Sequence, residues 1–379
     1  MALYPPRHGG IDEAKSLFPG DIPEEDILDF SISINPLGPP PGLKEFLIEN
    51  LHAISRYPEI SAGTLAERLA SHHGLSPDHV IVGNGTADLL FSLLPQFSGS
   101  RALVPYPTFI EYERVCTLYG WTLCHIPPAD TRTFAFDVRR ITEGLTENAV
   151  LFLCHPNNPT GRCMDPASLE AVLARARKKN VLVVLDEAFL PFTDAPSAAA
   201  LAGKGDGLVV LRSMTKSFAV PGLRLGYAVA SPAVIDRWKT FLPPWNVNIL
   251  AQAAGVFCLE RAEEHMERTK RFVREERERV VAAIREIPFL DPLPSDTNFF
   301  LVRVDTGALT ASELYLALAK RGILVRHCGS FRGMGEGHVR IGLKSREENR
   351  RLIAALREIV ADRTRPASKI ARPPEDALV

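Results

Sequence analysis

Val181-Leu182-Val183-Val184-Leu185-Asp186-Glu187 is the stretch on which the reading of the fold turns. Five apolar residues without polar alternation describe a strand covered on both faces, the pattern of a parallel sheet wrapped by helices. That strand stops on two carboxylates, and a carboxylate at such an edge needs a partner because an unpaired buried ion is costly. Similar short runs recur at residues 79–82, 101–104, 121–126, 149–154, 207–211 and 226–230, with helical spacing at 64–70, 87–94 and 165–179 between several of them. Strands alternating with helices predict an α/β fold with a mainly parallel sheet.

Outside this region the texture changes. The first 45 residues carry Pro5, Pro6, Pro19, Pro23, Pro36 and Pro39-Pro40-Pro41, so residues 1–45 read as an extended arm, expected to be part of the small domain and a lid over the substrate. Residues 46–243 are expected to form the large domain and, after Pro243-Pro244, residues 244–361 a smaller C-terminal α/β unit. It opens with a charged helical stretch at 259–286, whose interspersed signs describe a solvated face. Residues 362–379 are expected to be a disordered tail.

The 379 residues are 46% hydrophobic and 23% charged, which excludes disorder as the dominant state. Lysine plus arginine total 44 against 45 aspartates and glutamates. No global field therefore draws the chain to nucleic acid or an anionic membrane, and neither is expected as a partner. Anions must be met locally. No run approaches the roughly 20 apolar residues of a membrane span and no leader pattern opens the chain, so a cytoplasmic protein is expected. Six scattered cysteines without a Cys-x-x-Cys pair suggest neither a metal site nor a disulfide framework.

Four marks carry chemistry. Gly83-Asn84-Gly85-Thr86 lies between a strand and a helix, where backbone N–H groups and the helix dipole can cradle a phosphate, although any strand-to-helix turn also uses such residues. His155-Pro156-Asn157-Asn158-Pro159-Thr160-Gly161 follows a strand, the position where α/β folds place ligands. Asp186-Glu187 is the third. The fourth is Ser213-Met214-Thr215-Lys216-Ser217-Phe218, trailed by Gly222-Leu223-Arg224-Leu225-Gly226-Tyr227, a context in which a lysine can serve imine chemistry rather than lie on the surface.

In this order the four marks resemble the fold type I pyridoxal-phosphate enzymes, the class I and II aminotransferases and their relatives, over residues 8–345. The resemblance implies a seven-stranded, mainly parallel sheet in the large domain, a smaller α/β domain, and pyridoxal phosphate as cofactor. It implies that Lys216 holds the cofactor as an imine and moves protons, and that Asp186 keeps the pyridine nitrogen protonated; these two are the catalytic pair. Asn158 would donate to the ring's 3-oxygen, Phe109 would stack on the ring, and Gly85, Thr86, Ser213 and Arg224 would anchor the phosphate. Tyr57 matches a tyrosine that reaches a neighbouring subunit's cofactor, which implies a homodimer with shared active sites. Where many members carry tyrosine three residues after the ring-binding aspartate, this chain has Phe189, a loss expected to alter the imine's protonation equilibrium.

Within the family the arm is similar to that of the threonine-phosphate decarboxylases of cobalamin biosynthesis, with histidinol-phosphate aminotransferases as cousins. His8-Gly9-Gly10, Asp29-Phe30-Ser31 and Ile34-Asn35-Pro36-Leu37-Gly38 carry that likeness. It implies a phospho-amino acid substrate met by His8, Gly9, Ser33, Asn158, Arg326 and Arg340, with Arg332 a weaker candidate. Ser33 stands where the decarboxylase pattern has asparagine, which leaves a related phospho-amino acid open. Transamination is the alternative chemistry. A non-enzymatic regulator is remote, since such proteins need an added DNA-binding module.

Overall fold

The computed structural model describes residues 8–18, 22–97, 101–205 and 207–364. The strands, in chain order, are β1 (Leu28–Asp29), β2 (Val80–Gly83), β3 (Arg101–Pro105), β4 (Thr122–Ile126), β5 (Val150–Cys154), β6 (Leu182–Asp186), β7 (Leu208–Ser213), β8 (Gly226–Val229), β9 (Leu290–Pro292), β10 (Phe299–Val304), β11 (Ile323–Leu324), β12 (Arg326–His327) and β13 (His338–Gly342). The apolar run that opened the sequence reading is β6, at the centre of a seven-stranded sheet of order β2-β8-β7-β6-β5-β3-β4. β3 to β7 are parallel and β8 runs antiparallel to both its neighbours.

Every residue of β5 and β6 is buried. Alternation divides them between two apolar layers. Leu182 and Val184 pack with Leu89, Tyr112 and Trp238 on one face, while Val183 and Leu185 pack with Leu65, Leu69 and Val172 on the other. The covering helices begin where the sequence supplies caps: Asp165 accepts from Ser168 N ahead of Pro166–Lys178, and Ser231 caps Pro232–Lys239.

The second unit is built on the antiparallel sheet β12-β13-β10-β9. Its core takes in Leu28 and Phe30 of the arm, and β1 pairs in parallel with β11 through Leu28↔Ile323. Most of the proline-rich arm is irregular, but it contains short helices at Ile11–Ala14 and, from its last residues, Leu43–Glu49.

Three details depart from the sequence expectations. Val247, Ala251, Ala254, Phe257 and Cys258 lie in the core of the first unit, so its packing continues beyond residue 243. The reason is the close approach of helix Ile249–Leu259 at Gly255, where a Cβ would stand 2.7 Å from a methyl of Leu65 and 2.9 Å from one of Leu225. In the charged helix Ala262–Arg285, Glu276 is fully buried. It accepts from Asn349 Nδ2 at 3.0 Å and pairs with Arg279 and, at 3.3 Å, Arg346, tying that helix to Arg346–Thr364. The last helix runs to Thr364, past the expected end at 361; residues 365–379 lie outside the described residues. Among the described residues no helix is long and apolar enough to cross a membrane.

Candidate active site

Because β5, β6 and β7 are parallel, their C-terminal ends deliver Asn157-Asn158, Asp186 and Ser213 to one edge of the sheet. β2 ends there too, and its Gly83-Asn84-Gly85 turn opens helix Thr86–Leu93. The four marks are thus brought together by topology, beyond the carboxyl ends of the strands.

Asp186 is buried, and its partner is a residue the sequence reading did not single out. The Tyr112 hydroxyl donates to Asp186 Oδ2 at 2.7 Å and the Ala188 amide donates to Oδ1 at 3.0 Å. Burial pushes the carboxyl above its ordinary range, and those two hydrogen bonds pull the other way. Tyr112 stacks on Phe152 at 5.2 Å, and burial followed by the Asp186 charge raises its own pKa well above normal, so it remains a donor.

Lys216 sits in the short helix Met214–Ser217 directly after β7. Burial, then the guanidiniums of Arg340 and Arg224, push its amine down to about 8, with Asp186 opposing. Its Nζ lies 5.9 Å from the centre of the Phe189 ring, which itself packs edge-on against Phe299 at 4.8 Å. The arm fixes the lysine backbone: Asn35 N donates to Lys216 O at 2.9 Å, and Asn35 Nδ2 to Ser217 O at 2.8 Å and Thr269 Oγ1 at 2.9 Å.

At the phosphate loop, Gly85 has φ +85°, and a Cβ there would meet Arg224 Nη2 at 2.7 Å. A Cβ on Gly226 would meet Thr86 N at 2.7 Å. Both glycines allow an approach that no side chain permits, and together they leave backbone N–H groups and a guanidinium converging at the helix start. The Ser213 and Thr215 hydroxyls are 2.5 Å apart beside it.

The substrate side is built from the second unit and the arm. Arg326 and Arg340 stand opposite each other across β12 and β13. Arg340 is buried; it donates to Asn158 Oδ1 and, at 2.6 Å, to Ser31 O, and lies over Phe299. No carboxylate among the described residues lies within ion-pair distance of it. Burial and the neighbouring Arg326 push it down to about 10. A buried cation held only by neutral acceptors is arranged to receive an anion. Arg326 donates to His327 O at 2.8 Å and Ser330 Oγ at 2.7 Å.

The histidine turn closes over this pair. His8 Nε2 lies 2.9 Å from Glu111 Oε1, and its ring 5.9 Å from that of Phe109. Gly9, at φ +94°, leaves room for no Cβ, which would stand 2.9 Å from Ser31 Oγ and 3.3 Å from Arg326 Cδ. Ser31 Oγ accepts from Gly10 N at 2.8 Å and donates to Asp29 Oδ1 at 2.5 Å. Three candidates stand apart. The Ser33 hydroxyl is buried without a hydrogen-bond partner, on the side of Gly342 that a Cβ would occupy. Arg332 makes a two-pronged ion pair with Glu113 at 3.0 and 2.9 Å. Tyr57 is 80% exposed and stacks on Trp245 at 4.8 Å. Tyr112 and Glu111 are the residues sequence reasoning missed; the signal for Tyr112 was its place one helical turn beyond Phe109.

This donor set fits pyridoxal phosphate: a carboxylate for a pyridinium, a lowered amine for an aldehyde, and a glycine-lined cradle for a phosphate. Comparison with known proteins agrees. The family model "Aminotransferase class I and II" matches residues 25–356. The chain is 36% identical to threonine-phosphate decarboxylase of Salmonella typhimurium, covering 95% of this chain and 98% of that one. It is also 36% identical to histidinol-phosphate aminotransferase of Symbiobacterium thermophilum, over 89% and 91%. The crystal structure of L-threonine-O-3-phosphate decarboxylase from Porphyromonas gingivalis superposes with a TM-score of 0.80 at 31% identity, over 88% and 100%. The chain belongs to the class I and II aminotransferase family, and its architecture is that of the fold type I pyridoxal-phosphate enzymes.

Two outcomes follow for the apo-protein. Tyr112→Phe removes a hydrogen bond to a charged group, about 1.5–3 kcal/mol, so the dissociation constant for pyridoxal phosphate should rise about 10- to 100-fold in a spectroscopic titration; an unchanged constant would refute the role of Tyr112. The rate of covalent cofactor capture should follow the neutral amine of Lys216, rising about tenfold per pH unit up to pH 8 and levelling above it. A rate still rising steeply toward pH 10, the range of an ordinary lysine, would show that the site leaves the amine unperturbed.

Proposed function

We propose that the protein decarboxylates L-threonine O-3-phosphate, releasing CO₂ and (R)-1-amino-2-propanol O-phosphate, in cobalamin biosynthesis. The observation that carries this reading is Arg340, a buried guanidinium with no carboxylate within ion-pair distance among the described residues, facing Arg326 under the His8–Gly10 turn. Two arginines and a histidine suit a substrate with two anions, a carboxylate and a phosphate. The named decarboxylase relatives support the same substrate.

Bound pyridoxal phosphate supplies the electron sink for a bond broken at the substrate's Cα. Asp186, steadied by Tyr112, would keep the pyridine nitrogen protonated. Arg340 occupies Asn158 Oδ1, which leaves the amide nitrogen as the end that donates to the 3-oxygen. The arginines would hold the substrate's two anions and so decide which bond at Cα is presented for cleavage, an orientation effect in which small displacements change rates greatly. The Cα–carboxylate bond then breaks to release CO₂, and Lys216 or water delivers a proton to Cα, with no net oxidation.

Ile48, Leu51, Ile54, Tyr57, Ile60 and Trp245 are large, exposed and apolar, and the Trp245 amide bonds to Ile60 O. This patch supports a second copy of the chain as partner, with Tyr57 reaching its cofactor phosphate. The second functional reading, a histidinol-phosphate aminotransferase, is favoured by the equally identical relative of that name.

The assay incubates the cofactor-loaded species, expected to sediment at twice 41.7 kDa, with L-threonine phosphate while CO₂ is followed. A parallel reaction receives histidinol phosphate and a 2-oxo acid. The expected result is CO₂ from the first and no amino-group transfer in the second; transfer without CO₂ release would favour the aminotransferase.

A further inference from the structure

Three strand ends at the cofactor site, those of β6, β7 and β8, carry one position away a member of a second, largely buried cluster. Asp186 is followed by Glu187, Ser213 is preceded by Arg212, and Gly226 is followed by Tyr227. Register makes the pairing obligatory. Across β7 and β8, Arg212 stands opposite Tyr227 and Ser213 opposite Gly226; across β6 and β7, Asp186 stands beside Leu211. Alternation therefore sends residues 187, 212 and 227 together to the face that carries Leu185, Val210 and Val229, away from Asp186 and Ser213.

On that face Glu187 is fully buried and both its carboxylate oxygens are engaged. Oε2 accepts from Arg212 Nη1 at 2.9 Å and from Ser197 Oγ at 2.5 Å, and Oε1 accepts from Ala198 N at 2.8 Å. Arg212 stands opposite Tyr227 in the strand register, and the Tyr227 hydroxyl meets His73 Nε2 at 2.9 Å. Around Arg212 the titratable groups are thus Glu187, Tyr227, His73 and His72. Around Asp186 they are Tyr112, Cys154, Lys216 and, through the strand, Glu187. Glu187 raises the pKa of Asp186, and Arg212 is the cation paired with Glu187. Glu187, Arg212, Tyr227, His73 and His72 are not among the proposed cofactor or substrate contacts.

We propose that Glu187 and Arg212 are a positioning pair for the cofactor site: they clamp the ends of β6 and β7 from behind, and Arg212 cancels the charge that Glu187 would otherwise project onto Asp186. The inference rests on reading the site as a pyridoxal-phosphate site. It makes the two partners unequal. Removing Arg212 leaves a buried carboxylate one residue from Asp186, which favours protonation of Asp186 and weakens its hold on a pyridinium. Removing the Glu187 charge leaves a cation nearby, which keeps Asp186 ionised.

The experiment uses the full-length apo-protein, Glu187→Gln, Arg212→Met and the double variant, each titrated with pyridoxal phosphate across a range of pH, with thermal melting of the apo form as a separate measure of folding. Arg212→Met should weaken cofactor binding roughly tenfold or more and move the acid loss of binding to higher pH, since a carboxylate with a raised pKa takes its proton at higher pH. Glu187→Gln should move that loss to lower pH, and the double variant should recover most of the affinity lost in Arg212→Met. A merely structural pair would lower the melting temperature in both single variants and leave the acid limb where it is. That result, or losses that simply add in the double variant, overturns the proposal. Should Arg212→Met not fold, Glu187→Gln and the double variant answer the same question: the acid limb of the double variant must lie at higher pH, and coincident limbs overturn the proposal. A wild-type protein that fails to bind pyridoxal phosphate would instead overturn the reading of the site.

Discussion

The hydrogen bond from Tyr112 to Asp186 is the constraint on which the site depends. A strand buried on both faces cannot end in an ionised carboxylate unless something satisfies it, and here one phenol and one amide do so from within the protein. Their geometry requires helix Glu111–Leu118 to lie against the apolar layer formed by Phe152, Val184 and Leu211. The same layer sets the spacing of β5, β6 and β7. Fold and chemistry meet at this carboxylate, because moving Tyr112 would disturb both the core stack on Phe152 and the charge beside the cofactor.

Charge is distributed unevenly in a chain whose total is near zero. Around the cleft, Arg340 and Arg224 act on Lys216 with Asp186 opposing, and Arg326 acts on Arg340 with Asp29 among the groups opposing. Burial, and then repulsion between these cations, lowers both Lys216 and Arg340, which prepares the lysine for an aldehyde and the arginine for an anion. The arm contributes through its backbone more than through charge. Ser31 links the histidine turn, Asp29 and Arg340, while Asn35 fastens the arm to the lysine helix.

Much of this was legible in the sequence because the chemistry-bearing residues sit in short runs at strand ends. Asp186, Lys216, Gly85 and Arg224 announce themselves through neighbours that any cofactor cradle needs. Tyr112 and Glu111 do not, since they lie in an ordinary amphipathic helix and acquire their roles only when it packs on β6 and under the arm. Glu276 was hidden in the same way, inside a charged run whose other members are mostly solvated. Residues 247–258 read as part of the second unit because prolines mark a break at 243, whereas helix packing at Gly255 decides which core they join. Ser33 is read from the sequence as a substrate contact, and its hydroxyl is buried beside Gly342 without a hydrogen-bond partner.

The central claim is that the buried cations of this cleft are matched by the anions of cofactor and substrate. A crystal structure of Lys216→Ala with pyridoxal phosphate and L-threonine phosphate tests it most directly. The account predicts the cofactor phosphate against Gly85, Thr86, Ser213 and Arg224, one substrate anion on Arg340 and the other on Arg326 and His8. Substrate anions bound elsewhere, with Arg340 still held only by Asn158 and Ser31, would contradict it.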